Sequence, residues 1–210
     1  MKKSGRLALL GASGHGKVVA DAALLAGWGE VIFFDDVWPD VFSAGPWPVI
    51  GNSQCLIEQN SKYDGVVVAI GENGSRLKKM TLFQELGLPI VTIIHPSSVI
   101  SQYARVGKGT AVCAGAVINP FAEIGCGSII NTAATIDHDC KIADGVHVSP
   151  GAHLGGGVQV GKSTWVGLGA TIKQGIQIGE NSIVGMGAVV VCDVPSGVTV
   201  VGVPAREMRK

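Results

Sequence analysis

Between Ile100 and Val190 an aliphatic residue recurs at every sixth position without interruption, sixteen in all. Ile100, Val106, Val112, Ile118, Ile124 and Ile130 begin the series; Ile136, Ile142, Val148, Leu154, Val160 and Val166 continue it, and Ile172, Ile178, Val184 and Val190 close it. Neither a helix of period 3.6 nor an ordinary strand of period 2 produces this spacing. Four residues after most of these comes a small one, as at Ala104, Thr110, Ala116, Ala122, Ser128, Ala134, Cys140 and Ala152, often followed by glycine. One large and one small inward residue per six is the signature of a parallel β-helix, whose stacked coils bury one another. With three hexads per coil, as in known hexapeptide helices, sixteen hexads make about five coils. Such an interior has no room for rings. Aromatic residues accordingly make up only 5% of the chain, while glycine supplies 31 of 210 residues.

The same frame locates the histidines. His138 is the third residue of its hexad, and His147 and His153 are each the sixth, so none takes an inward slot. Each is either an idle surface imidazole or a working one. Around His138 the context is Asp137-His138-Asp139, where a flanking carboxylate can orient the ring and raise its basicity. Gly156 follows His138 by eighteen residues, one full coil, and lies in the run Gly155-Gly156-Gly157. Its backbone should sit beside the imidazole, where an N–H could meet a developing oxyanion; otherwise these glycines serve only tight turns.

Residues 5–94 carry a different pattern. Four β-rich runs, 6–10, 31–34, 65–70 and 90–94, alternate with segments that read as helices, notably 17–26 and 75–86. This is the βαβαβαβ order of a small doubly wound layer, whose ligands bind at the carboxyl ends of the strands. The first run leads into Gly11-Ala12-Ser13-Gly14-His15-Gly16 and a helix, a setting in which backbone N–H groups and a helix N-terminus cradle phosphate. The spacing is G-x-x-G-x-G where a dinucleotide fingerprint wants G-x-G-x-x-G, so a dinucleotide is the second choice. Asp35 and Asp36 close the second run and Gly71 follows the third. An ordinary βα turn and a solvated strand end remain the plain alternatives, but together these features favour a nucleotide diphosphate site.

Charge narrows the partners. Sixteen Lys and Arg balance sixteen Asp and Glu, so neither nucleic acid nor an anionic membrane is an expected partner. The apolar run after the basic start stops at Gly11, too short for a secretion signal, and no apolar stretch approaches a membrane span. Five cysteines without a CxxC pair fit reduced thiols rather than a disulfide or zinc framework, and a cytoplasmic location is expected.

Taken together, Gly11-Ala12-Ser13-Gly14-His15-Gly16, Phe34-Asp35-Asp36, Ala69-Ile70-Gly71, Ile94-His95-Pro96, Asn131-Thr132, Ile136 to Cys140 and the closing Val201-Gly202-Val203-Pro204-Ala205 resemble bacterial nucleotide-sugar acyltransferases. That group comprises UDP-4-amino-sugar and GDP-perosamine N-acetyltransferases and the related sialic acid O-acetyltransferases. The resemblance implies a Rossmann-like nucleotide-sugar-binding domain over 1–94, then a left-handed parallel β-helix acetyltransferase domain with a C-terminal tail over 95–210. It implies a homotrimer with acetyl-CoA between adjacent β-helices, and a nucleotide-linked 4-amino-4,6-dideoxy sugar as acceptor. By position, His138 is the general base and Asp139, where Glu is common, raises its basicity. His147 and the Gly156 backbone meet the thioester carbonyl. Leu168 and Met186 line the acetyl-CoA cleft, and Ser13, Gly14, His15, Asp35, Asp36 and Gly71 contact the nucleotide sugar. No metal is expected. Three rivals stand beside this reading: a sialic acid O-acetyltransferase, a metal hydrase using His138, His147 and His153 as ligands, and an NAD(P)-binding oxidoreductase.

Overall fold

The computed structural model describes residues 5–208 and divides into two compact units, Met1–Pro96 and Ser97–Lys210. The basic start at 1–4, read above as carrying no secretion signal, and the tail's last two residues lie outside the described residues.

The N-terminal unit runs β1 (Arg6–Leu10), α1 (Gly14–Leu25), β2 (Glu30–Phe34), β3 (Ser43–Ala44), β4 (Trp47–Pro48), α2 (Ser53–Glu58), β5 (Gly65–Val68) and α3 (Asn73–Glu85). β1 lies between β2 and β5, parallel to both. Leu7 to Leu10 are all buried, as a continuous apolar run in the middle of a parallel sheet should be. α1 buries Gly16, Val19, Ala20 and Ala23, spaced at three and four residues along one face. The fourth expected strand shrinks to one bridge between Val66 and Ile90, and the short strand Ile93–Ile94 is not part of this sheet. The β3–β4 hairpin and α2 have no counterpart among the expected elements.

Residues after Pro96 wind into the solenoid. Register partners differ by eighteen residues, as in Ile100, Ile118, Ile136, Leu154, Ile172 and Val190, so three hexads make each coil. One face has six strands, from Val99–Ile100 to Val189–Val190, and a second has five, from Arg105–Val106 to Gln177–Ile178. The third face carries Ala111–Val112, Ile129–Ile130, His147–Val148, Trp165–Val166 and Ile183–Val184. Both inward sets are buried, Ile118, Ile130 and Ile136 with Ala116, Ala122 and Ala134.

Where the small inward residue is polar, its side chain bonds a carbonyl of the next coil: Thr110 to Gly125, Ser128 to Ala143 and Thr164 to Gly179, each fifteen residues on. A buried hydroxyl is thereby satisfied without water. Ser182 makes the same bond to Pro195, thirteen residues on, because the period breaks after Val190. Ile178 pairs with Val194 and Val184 with Val200, so the last coil has sixteen residues. The solenoid therefore makes about six turns rather than the five that the unbroken repeat suggests.

Most coil corners put one residue in the left-handed region. Glycine fills most of these positions, for example Gly109, Gly127, Gly145, Gly157 and Gly175, but Phe121, Ala133, Asp139, Ser163 and Asn181 have φ between 54° and 63°. Asp and Asn tolerate that conformation; for a bulky residue such as Phe it is an outlier.

Candidate active site

His138 stands on a corner between the six-stranded and five-stranded faces, in the turn joining Thr135–Ile136 to Lys141–Ile142. Its Nδ1 lies 2.7 Å from Asp139 Oδ2, and the two side chains are 60% and 62% exposed. With Nδ1–H donating to that carboxylate, Nε2 keeps its lone pair and faces away from it. Asp139 reaches the ring because it occupies the left-handed corner position, φ 59°. On the other flank Asp137 Oδ1 accepts the His138 backbone N–H at 2.8 Å and Asn119 Nδ2 at 2.9 Å. These bonds hold the Asp137 carboxyl below its ordinary range, with a smaller contribution from the Gly156 N–H. The hydrogen bond to Asp139, followed by the negative charge of Asp137, raises the His138 imidazole above its usual value.

Gly156 borders the ring as coil arithmetic anticipates. A Cβ built there would lie 2.5 Å from His138 Nε2, so only glycine leaves that nitrogen open.

His147 points outward from the third face yet is only 8% exposed. Trp165, one coil on, stacks on it with ring centroids 5.3 Å apart and an interplanar angle of 7°. The indole Nε1 donates to Ser149 Oγ at 2.7 Å, and Asn131 Nδ2 lies 3.2 Å from His147 Nε2. Leu168 and Met186 are 53% and 79% exposed and occupy the corner after the third face. Thus His138 and Gly156 share one corner, while His147, Leu168 and Met186 lie along a different side of the solenoid. His153 belongs to the six-stranded face, its Nδ1 2.9 Å from Thr135 Oγ1. The hydrase ligand set is therefore not brought together: among the described residues no three His, Cys, Asp or Glu side chains are grouped to hold a metal ion.

In the N-terminal unit, Gly11, Ser13, Asp35, Asp36, Ser75 and Lys79 face one cavity of about 350 Å³. Gly11 has φ 115°, and a Cβ at Gly16 would strike the Gly11 carbonyl oxygen, so both glycines are required by the turn itself. A Cβ at Gly14 or Gly71 would meet nothing within 4 Å, so packing does not demand glycine there and their backbones are open to a ligand. Ser13 is the N-cap of α1 without using its hydroxyl as a cap. His15 lies in the first turn of α1, half-buried.

The two aspartates have partners within the protein. Asp35 accepts the Ala12 N–H at 2.7 Å and the Val37 N–H at 3.0 Å. Asp36 accepts the Ser53 N–H at 2.9 Å and pairs with Lys79 Nζ at 2.6 Å. Burial works against its charged form, but the bonds from Lys79 and Ser53 outweigh it and hold the carboxyl below its usual range. Sequence reasoning missed Lys79 and the wholly buried Arg76, whose guanidinium donates to the carbonyls of Ile70 and Gly71 at 2.9 Å. A larger concavity, about 790 Å³, runs along the five-stranded face over Arg105, Glu123, Lys141 and Gln159, and holds none of the candidate residues.

The fold places the chain in the class of hexapeptide-repeat solenoid proteins, with an exposed His–carboxylate pair on a coil corner. Comparison with known proteins narrows that class. The PglD N-terminal domain family matches residues 6–83. The acetyltransferase domain of PglB from Neisseria gonorrhoeae is 40% identical over 97% of this chain and 99% of its own, with a TM-score of 0.91, and is also known with acetyl coenzyme A. PerB from Caulobacter crescentus, in complex with CoA and GDP-perosamine, is 38% identical over 98% of both chains, TM-score 0.92. WeeI from Acinetobacter baumannii is 31% identical over 96% of this chain and 99% of its own, TM-score 0.88. The chain belongs to the hexapeptide-repeat nucleotide-sugar acetyltransferases.

Proposed function

We propose that this chain transfers the acetyl group of acetyl-CoA to the 4-amino group of a nucleotide-linked 4-amino-4,6-dideoxy sugar, with His138 as general base. The observation that carries the proposal is the His138–Asp139 pair, held 2.7 Å apart with Nε2 open beside Gly156, in a chain of this family. The N-terminal cavity takes the nucleotide: Gly14 and Gly71 offer open backbone, Ser13 a hydroxyl and the N-terminus of α1 a positive dipole end. Asp35 and Asp36 act there mainly by holding the loops that form the cavity wall.

His138 Nε2 takes the proton that the amine loses as its nitrogen attacks the thioester carbonyl. The Gly156 N–H and His147 meet the carbonyl oxygen as it gains negative charge. Collapse of the tetrahedral intermediate forms the amide and breaks the C–S bond; CoA leaves as a thiolate, whose ordinary pKa of about 8.5 makes it a tolerable leaving group. His138 then returns its proton to the thiolate or to solvent. Cys140, buried with its Sγ on the Gly155 carbonyl and its thiol pushed up by burial, is a core residue rather than a nucleophile.

The distribution of residues supports a homotrimer with sites between copies. His138 and Gly156 sit on one corner and His147, Leu168 and Met186 on another side, so an adjacent β-helix would complete the acetyl-CoA cleft and exclude water from the thioester. A cytoplasmic location fits this use of acetyl-CoA; among the described residues no helix is long and apolar enough to cross a membrane.

Turnover of acetyl-CoA against UDP-, GDP- and dTDP-linked 4-amino-4,6-dideoxy sugars, with sialic acids alongside, tests the proposal. One nucleotide amino sugar should be acetylated at nitrogen. Turnover of a sialic acid alone would transfer the reading to O-acetylation, and turnover of neither would overturn it.

A further inference from the structure

The second unit contains three aromatic residues, Tyr103, Phe121 and Trp165, and its interior admits none of them. Trp165 is accounted for by its stack on His147. Tyr103 and Phe121 stack on each other, with centroids 5.6 Å apart and an interplanar angle of 29°, and each is 60% exposed. Phe121 holds a left-handed φ of 63° at a corner where Gly157 and Gly175 stand in later coils. A bulky residue kept in a glycine conformation, for a side chain that is mostly in solvent, points to a use for the ring. Its position is specific. Phe121 precedes Asp139 by one coil, and the Asp139 N–H donates to the carbonyl of Pro120 at 3.2 Å. The aromatic pair therefore borders the His138–Asp139 corner on the side opposite Gly156.

We propose that Tyr103 and Phe121 form a stacking platform for the pyranose ring of the acceptor. This rests on the function proposed above. Nε2 and the thioester lie towards Gly156, and the pyranose that carries the amine extends from there across the exposed imidazole to Phe121. A deoxy sugar presents a C–H face, which suits an aromatic surface and not the polar groups of the neighbouring turns. The platform's size also fits. Two rings, each somewhat over half exposed, offer roughly 200–300 Å², far below the ~800 Å² per partner of a stable protein interface.

Phe121→Gly and Tyr103→Ala test this in the full-length protein, with the amino-sugar nucleotide that the wild type acetylates. Phe121→Gly should raise KM for that acceptor about tenfold, leave KM for acetyl-CoA unchanged, and raise Tm, because glycine is at ease at φ 63°. Tyr103→Ala should raise the acceptor KM in the same selective way. A ring that served only the fold would give a lower Tm in Phe121→Gly, which would overturn the proposal. So would an unchanged acceptor KM, or a loss of oligomer on sedimentation, which would assign the rings to contact between copies. If the wild type acetylates no amino-sugar nucleotide, the function itself has failed and the platform falls with it.

Discussion

Replacing Gly156 by alanine sets one methyl group against the proposed base. An ideal Cβ there lies 2.5 Å from His138 Nε2 and 2.6 Å from Cε1, whereas ordinary contact begins at 3.4 Å, so the ring must retreat by about 0.9 Å. Little resists that retreat, since the imidazole is 60% exposed and Gly156 has a φ that alanine adopts readily. What retreat destroys is alignment. The imidazole is aimed by its 2.7 Å bond to Asp139, and moving it strains or breaks that bond. A displacement of about 1 Å at a reacting group costs on the order of 10²-fold in rate, or ~2.7 kcal/mol of transition-state stabilisation.

Gly156→Ala should therefore lose about two orders of magnitude in kcat with saturating acetyl-CoA and acceptor, while its thermal midpoint stays close to wild type. The adjacent glycine gives the opposite result. Gly157 has φ 69° and open space around a built Cβ, so Gly157→Ala meets backbone strain and no steric clash. It should lose roughly 1–2 kcal/mol of stability and keep most of its kcat. Steady-state kinetics and thermal melts on both variants decide the matter. A Gly156→Ala enzyme with nearly wild-type kcat would refute the reasoning, because Nε2 would then have no part in the reaction at that position.

His138→Ala should lower kcat by ~10²–10⁴ with acetyl-CoA affinity retained, measured by steady-state kinetics and calorimetry; retention of more than about a tenth of kcat would remove it from the base's role. Because Asp139 and then Asp137 favour the imidazolium, kcat should fall with decreasing pH through a value above the ordinary ~6.5 of histidine. Asp139→Asn removes the larger of those causes, so the acid limb should move to lower pH as the plateau drops; an unmoved limb would count against the pair. Asp36→Ala releases Lys79 and the Ser53 N–H from the cavity wall and should raise KM for the nucleotide sugar while sparing KM for acetyl-CoA. Equal change in both would argue against a nucleotide site there.

What was legible in the chain follows from how each unit makes its contacts. In the solenoid a residue's neighbours lie eighteen positions away, so simple addition found Gly156 beside His138. The same addition reaches Trp165 from His147, and Asn119 from Asp137. The N-terminal unit has no such period. Asp36 meets Ser53 seventeen residues on and Lys79 forty-three residues on, separations that no repeat announces. The six-residue α2 and the two-residue strands of the β3–β4 hairpin are too short for hydrophobic periodicity to register. Burial of His147 was hidden for a different reason. The hexad frame says which way a side chain leaves the backbone, and only the parallel indole of Trp165 and the Asn131 amide determine what it meets there. The frame also says which residues share a corner, and it separates His138 from Leu168 and Met186. If all three serve one reaction, the chain's own periodicity requires a second copy to bring them together. Sedimentation tests that directly: a monomer with full activity would mean that the cleft assigned to Leu168 and Met186 is not the one His138 serves.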